Sequence, residues 1–549
     1  MKTTDKPLFD SNIFIYSVNA DSPFHATALD LLERYTKSGF YVTDINLIDF
    51  FQVVTDGRKT LRPFSTEQAS EYIRKLVRIP EVNVLKTRSF HEILHDDGAH
   101  AEVRRFQVKH FAIYDYLIVD CMRQHDIKTI VTGNAQDFRK YPFLDVIDPF
   151  MTQSTTQGRA VAPIPYGRQS ISEQDVSAVC SVLLSDFLTQ GPKVPAFEQI
   201  VAEYCGARHA VAVNSATSAL HIACLALGLG PGETLWTSPT TFVASANCAL
   251  YCGASVDFVD IDPRTYNMSV NALEAKLVQA RQSGCLPKVV VPVHLCGQPC
   301  EMQAIHTLSR EYGFRIIEDA SHAIGAKYQG EPLGNCRYSD ITVFSFHPVK
   351  IITTGEGGMA LTNDPELARL MECFRTHGIT GNKAEMQPRP ADEIWNYQQI
   401  RLGCNYRMTD IQAALGLSQM TRLDEFIEKR RQIAARYDTA FADLPVTTPW
   451  QHPDTCSSYH LYPIRIRQGD SPKSQRQVYD AFHSAEVNVN LHYIPVYRQP
   501  YYEAMGFAAG YCPEAEQYHK ETISLPMYPS LSIEQQNSII QTVMESIIP

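Results

Sequence analysis

One lysine sits in an unusual frame. In FSFHPVKIITTGEGGM, residues 344–359, Lys350 follows a short apolar run and leads straight into Thr-Thr-Gly-Glu-Gly-Gly. A lysine facing solvent needs no such surroundings. A lysine that attacks a carbonyl does, because its amine must be partly desolvated to lose its proton near neutral pH. The glycines beside it allow a tight turn, since glycine accepts positive φ.

Schiff-base chemistry that passes through a carbanion needs an electron sink, and pyridoxal 5′-phosphate (PLP) is one. It asks four things of a protein: the lysine, a carboxylate for the pyridine nitrogen, an anion site for the phosphate, and a flat group against the ring. RIIEDASHAIG puts Asp319 at the end of an apolar run, with His322 three residues on. VAVNSATSALHIA reads as a strand entering a helix, so the first-turn amides of Ala216, Thr217 and Ser218 are expected to be free for a phosphate. Phe242 in SPTTFVASAN is the candidate ring wall, and Ser345 a second phosphate donor. Each feature alone is ordinary. An Asp after a strand is commonly a cap, and a Ser-Thr strand–helix junction commonly only an N-cap.

The elements that must position these groups alternate. HAVAV (209–213), VDFVDI (256–261), KVVVPVHL (288–295), RIIED (315–319) and ITVFSF (341–346) read as buried strands. Helical patterns such as NALEAKLVQAR and QAIHTLSREYG lie between them. This alternation predicts an α/β fold with a mainly parallel sheet covered on both faces, binding ligands at strand ends. The polar, aperiodic stretch 151–163 reads as a linker. Beyond about residue 425 a long charged helix leads into a smaller mixed region.

From IPYGRQSIS to the C-terminus the chain resembles the DegT-type sugar-nucleotide aminotransferases, and among them the pseudaminic-acid branch. The resemblance is carried by SDFLTQGPKVPAFE, NSATSALH, IEDASHAIG, FSFHPVKIITTGEGG, LGCNYRMTDIQAALGLSQ, VNLHYIPVY and SLPMYPSL, in this order. It implies PLP-dependent transferase fold type I, with a large parallel-sheet domain over 164–424 and a small α+β domain over 425–549. It further implies that Lys350 forms the Schiff base, that Asp319 pairs with the pyridine nitrogen, and that His322 lies near the phenolic oxygen. Asn405 would reach the phosphate in a neighbouring subunit, so a homodimer with shared sites is implied. Cys404 departs from the aromatic residue common at its position. The implied reaction moves an amino group from L-glutamate to the carbon-4 ketone of a UDP-2-acetamido-2,6-dideoxy-4-ketohexose. Relatives that dehydrate sugars carry histidine in place of the lysine. Thr189, Gln190, His492 and Tyr493 are the candidates for the sugar-nucleotide pocket.

The first 150 residues carry a different constellation. Asp10 follows a strand in PLFDSNIFIYS, which reads as a strand running into a turn; Asp49 lies on a helix, and Asp115 at a helix start. Asn134 and Asp137 follow the strand KTIVT. Acids converging from strand ends repel one another unless a divalent metal lies between them, and Mg²⁺ or Mn²⁺ so held can activate water against a phosphodiester. FDSNIFIYSVNADSPFHATALDLLE and TGNAQDF resemble PIN nuclease domains of the VapC type. The resemblance implies a three-layer PIN-like domain over 1–150, single-stranded RNA as substrate, and a metal site of Asp10, Asp49, Asp115, Asn134 and Asp137. Most relatives have Glu where Asp49 stands. Arg58, Lys59, Arg62, Arg74, Lys75, Arg78, Arg104 and Arg105 could track a phosphate backbone, or form a solvated helical face.

The 549 residues carry a formal net charge of −11, which argues against a chain built throughout to coat nucleic acid or anionic membrane. No apolar run reaches membrane-spanning length, the start lacks a signal-peptide core, and the 14 cysteines are scattered. A cytoplasmic protein with reduced thiols and no membrane partner is expected. Three readings stay open: an aminotransferase fused to a ribonuclease, an aminotransferase with a silent PIN module, and a regulatory nucleic-acid-binding protein on a PLP fold.

Overall fold

The computed structural model describes residues 6–56, 62–96, 98–99, 103, 112–150, 163–390, 396–467, 469, 471 and 473–547. The expected linker, apart from residue 163, lies outside them, as do Arg58, Lys59, Arg104 and Arg105. The chain forms two compact units, residues 1–159 and 160–549.

The first unit is built on five parallel strands: β1 (Leu8–Phe9), β2 (Phe40–Thr43), β3 (Val82–Leu85), β4 (Thr129–Val131) and β5 (Asp145–Ile147), ordered β3-β2-β1-β4-β5. Alternate residues enter opposite cores, as strand geometry requires. Leu8 and Ile130 join one apolar cluster with Tyr116, Val119 and Phe138. Phe9, Phe40, Val42 and Val131 join the other. The helices that matter for the acids are α1 (Ser11–Val18), α2 (Asp44–Thr55) and α3 (Ala112–Gln124). The SNIFIYSV run, expected as a turn after the strand, is α1, capped by the Asp10 carboxylate, which accepts the Ser11 N–H. The cap decides.

The second unit holds a seven-stranded sheet of β6 (His209–Val213), β7 (Thr234–Thr237), β8 (Ser255–Phe258), β9 (Val289–Val291), β10 (Arg315–Asp319), β11 (Ile341–Ser345) and β12 (Gly358–Thr362). Its order is β6-β12-β11-β10-β9-β7-β8. β12 is antiparallel to both neighbours, and every other pairing is parallel. Leu235, Val289, Val291, Ile317 and Val343 enter one core; Trp236, Val290 and Ile316 enter another on the opposite face. Burial on both faces explains why these strands read as unbroken apolar runs. Two helices follow the strands used below: α4 (Ala216–Ala226) after β6, and α5 (Leu423–Ala440). A smaller antiparallel sheet of β13 (Val446–Thr447), β14 (Tyr462–Ile466) and β15 (Thr522–Leu525) packs with α5 and the helix Ile533–Ile547 around a third core.

Candidate active site

A cavity of about 860 Å³ opens where β6, β10 and β11 end. Lys350, Asp319, His322, Ser345, Ala216, Thr217, Phe242, His492 and Tyr493 all line it. Strand β11 stops at Ser345, and Lys350 is carried on a turn closed by its own N–H donating to the His347 carbonyl (2.9 Å). Burial lowers its pKa to about 8, against the opposing pull of the Asp319 carboxylate.

Asp319 ends β10 and is itself buried. Its Oδ2 accepts from Ser245 Oγ (2.6 Å), and its Oδ1 accepts from Ser321 Oγ (2.6 Å) and Ser321 N–H (3.1 Å). Ser245 Oγ in turn contacts Thr241 Oγ1 (2.8 Å). The carboxylate is thereby fixed as an acceptor directed into the cavity.

The N-terminus of α4 is the anion site, with one correction. Ser218 N–H is not free: it donates to the cap Ser215 Oγ (3.1 Å). Among the described residues, the Ala216 and Thr217 N–H groups have no acceptor in the chain. The glycine run also works differently from expectation. Only Gly355 has positive φ (+81°). Gly358 serves by close approach: a Cβ there would lie 2.5 Å from the Ser215 carbonyl and the Ala216 nitrogen. Its bare Cα lets the start of α4 press against β12.

His322 Nδ1 accepts the Cys296 N–H (3.3 Å), which leaves Nε2 facing the Tyr493 hydroxyl (3.4 Å). Burial, with Lys350 and His492 beside it, drives its pKa well below the ordinary range. His492, bonded to Ser524 Oγ (2.9 Å), is pushed down to about 3 by burial and Lys350. Burial raises the Tyr493 phenol.

Three expected residues stand outside this cavity. Thr189 and Gln190 are exposed on a loop that pairs with Thr409. Asn405 is exposed, its backbone bridged to Thr376. Two residues escaped sequence reasoning. Ser245 stands four positions after Thr241 at the start of a helix, a spacing that faces the same way but carries no chemical mark. His460, in SSYHLYP, is buried and lines the cavity; a lone histidine before a strand gives no signal.

In the first unit Asp10 is buried and fully engaged: it accepts from Ser11 N–H, Asn46 Nδ2, Asn12 Nδ2 and Thr132 Oγ1 at 2.7–3.0 Å. Asp49 accepts from Ser11 Oγ (2.5 Å), and Asn134 donates to Asp137. Burial, with Asp10, Asp137 and Asp49 close by, lifts the Asp115 pKa to about 7. The four acids thus face one another. Yet among the described residues no three His, Cys, Asp or Glu side chains form a group able to hold a metal ion. Asp10, Asp49 and Asp137 are each engaged by hydrogen-bond donors of the unit itself.

A lysine of lowered pKa, a fixed carboxylate and a helix N-terminus around one cavity of this fold suit a PLP-dependent enzyme. Residues 169–544 match the DegT/DnrJ/EryC1/StrS aminotransferase family, and the chain belongs to it. Residues 8–144 match the PIN domain. The spore coat polysaccharide biosynthesis protein SpsC of Bacillus subtilis is 38% identical over 70% of this chain and 96% of its own length. The UDP-4-amino-4,6-dideoxy-N-acetyl-beta-L-altrosamine transaminase of Campylobacter jejuni is 35% identical over 69% of this chain and 96% of its own. Helicobacter pylori PseC, an aminotransferase involved in the biosynthesis of pseudoaminic acid, superposes with a TM-score of 0.62 at 32% identity, covering 70% of this chain and 99% of that one. Solved relatives include PLP-bound forms. The second unit is therefore a sugar aminotransferase that uses PLP, and the residues of the cavity fit that group. No described helix is long and apolar enough to cross a membrane.

Proposed function

We propose that the second unit transfers the amino group of L-glutamate to the carbon-4 ketone of a UDP-2-acetamido-2,6-dideoxy-4-ketohexose, a step of pseudaminic-acid type. The observation that carries this reading is the shared cavity of Lys350, Asp319 and the free first-turn amides of α4. PLP supplies the electron sink for the carbanion. The Ala216 and Thr217 amides, with Ser345, hold its phosphate. Asp319, anchored by Ser245 and Ser321, accepts the pyridinium N–H and keeps that proton in place. Lys350 Nζ, with its pKa lowered by burial, would be the base that takes the proton from the α-carbon of glutamate and the acid that gives it back. His322 donates from Nε2 to the phenolic oxygen, and Phe242 covers the ring. His492 and Tyr493, which line the cavity, recognise the sugar nucleotide; Thr189 and Gln190, exposed outside it, would do so in a second subunit's site.

Asn405 is exposed and does not line its own chain's cavity, which supports a role in the site of a second subunit and hence a homodimer. The scattered free thiols suit a cytoplasmic setting. The test is formation of 2-oxoglutarate from glutamate with the UDP-4-keto sugar. Turnover in wild type and none in Lys350→Ala are expected; turnover in the variant, or none with any UDP-4-keto-6-deoxy-HexNAc, overturns the assignment.

For the PIN unit we propose a ribonuclease acting on single-stranded RNA. The crowding of Asp10, Asp49 and Asp137 on Asp115 supports it, since a divalent cation, Mg²⁺ or Mn²⁺, relieves such repulsion. Cleavage of labelled single-stranded RNA by wild type, lost in Asp10→Asn and Asp115→Asn, is the expected result. No cleavage with either cation across several RNA pools would leave it a silent interaction module.

A further inference from the structure

His460 is buried against the cavity with one nitrogen unaccounted for. Its Nδ1 is buried and has no hydrogen-bond partner. A proton on Nδ1 would bury an unpaired N–H, which is costly; a bare lone pair costs less. The neutral ring therefore carries its proton on Nε2, the nitrogen left to the cavity that the residue lines. The same logic applies next door. His322 Nδ1 accepts the Cys296 N–H, so its proton is on Nε2 as well. The two rings stand 4.3 Å apart, centroid to centroid.

The backbone behind His460 is rigidly held. Arg430 of α5 is 1% exposed, and its Nη1 donates to the carbonyls of Tyr459 (3.2 Å), His460 (3.1 Å) and Met527 (2.9 Å). No described carboxylate pairs with it. The charged and titratable groups facing His460 are His322, Lys350, Arg430 and His492, and together with burial they hold its pKa far below the ordinary histidine range. Both rings therefore stay neutral donors. Both also face Lys350 electrostatically. In pyridoxal the phenolic oxygen is on the ring carbon next to the one that bears the aldehyde, so it would lie on the side of the ring toward Lys350, where both histidines line the cavity.

We infer that His460 and His322 form a pair of imidazole N–H donors aimed at one anionic oxygen, the phenolic oxygen of the cofactor, with His460 an unrecognised member of the cofactor site. The inference rests on the PLP reading above. A donor to that oxygen disperses its negative charge and weakens the hold of the lysine-bound chromophore on the proton at Lys350 Nζ. Removing a donor strengthens that hold.

The experiment titrates the visible absorbance of full-length, PLP-loaded protein with pH, for wild type, His460→Phe and His460→Asn. His460→Ala replaces the phenylalanine variant if that one does not fold. Absence of a Lys350-dependent visible band in wild type would overturn the PLP reading itself. With the band present, we expect His460→Phe to raise the titration midpoint by about half a unit or more, and His460→Asn, which keeps an N–H donor, to stay nearer wild type. A midpoint unchanged in His460→Phe, or raised equally in His460→Asn, overturns the inference and leaves His460 a packing residue.

Discussion

The lowered pKa of Lys350 has a consequence that can be measured before any substrate is added. An ordinary lysine amine, near 10.5, is roughly 0.03% neutral at pH 7; one near 8 is roughly 9% neutral, about 300-fold more. Only the neutral amine attacks an aldehyde, so recombination of apoprotein with saturating PLP should quicken with pH and level off just above 8. Two opposed causes set that midpoint: burial lowers it, and Asp319 raises it. Asp319→Asn removes the raising cause, since the amide keeps the shape but not the charge. The midpoint should then fall below 8, and the neutral fraction at pH 7 should rise. The assay is the first-order rate of chromophore formation between pH 6 and 10, followed by stopped-flow absorbance. Transamination should nevertheless collapse in this variant, because the pyridine nitrogen loses its partner. A rate that climbs through pH 10 in wild type would refute the desolvated lysine. A midpoint that rises in Asp319→Asn would refute the electrostatic pairing of the two groups.

Gly358→Ala should weaken PLP binding by about five- to 150-fold, because its Cβ would meet the backbone of Ser215 and Ala216 at 2.5 Å and displace the phosphate-binding amides; overpacking of this kind costs about 1–3 kcal/mol, and equilibrium titration of apoprotein with PLP reads it. Ser245→Ala, which frees one oxygen of Asp319, should lower kcat with little change in the KM for glutamate, as steady-state kinetics at saturating PLP would show. Asp115 has its folded pKa raised from 3.8 to about 7, so the first unit should lose stability as pH rises between those values and gain none of it back above 7. Asp115→Asn should raise the melting temperature of that unit at pH 7.5, and added Mg²⁺ or Mn²⁺ should raise it in wild type but less in the variant; differential scanning calorimetry of the full chain checks both.

What the sequence made legible follows from what kind of interaction each residue makes. The strands buried on both faces were visible as apolar runs, and β10 and β11 were placed within a residue of their ends. β7 and β12 were not, since TLWT is short and GMALT begins inside the glycine run. α1 was misread as a turn after the strand because the eight residues Ser11–Val18 carry no clear helical spacing, and the Asp10 cap that starts the helix is an ordinary strand-end residue. The same division runs through the site. Lys350, Asp319 and the start of α4 are visible because each sits where a strand ends, a place with a local signature. The role of Gly358 is invisible because it depends on the backbone of residues some 140 positions earlier in the chain. His460 and Ser245 are invisible for a related reason: neither has a local mark, and each is defined by what it faces across the cavity.

The two sites also differ in how far their acids are committed, and that difference bears on function. Asp319 has three donors on its carboxylate, yet it still lines an open cavity, and the lysine beside it is tuned by burial toward its task. Asp10 has four donors from its own unit, enough to occupy both oxygens without any cation. For a metal to use Asp10, at least one of Asn12, Asn46, Thr132 or Ser11 must give way. The strain that would drive such an exchange is the repulsion gathered at Asp115. If the exchange occurs, Mg²⁺ will lower the Asp115 pKa towards the ordinary carboxylate range, which ¹³C NMR of the carboxyl resonances would report. If Asp115 still titrates near 7 in saturating Mg²⁺ and Mn²⁺, the hydrogen bonds on Asp10 have won, and the PIN unit acts by binding and not by cleavage.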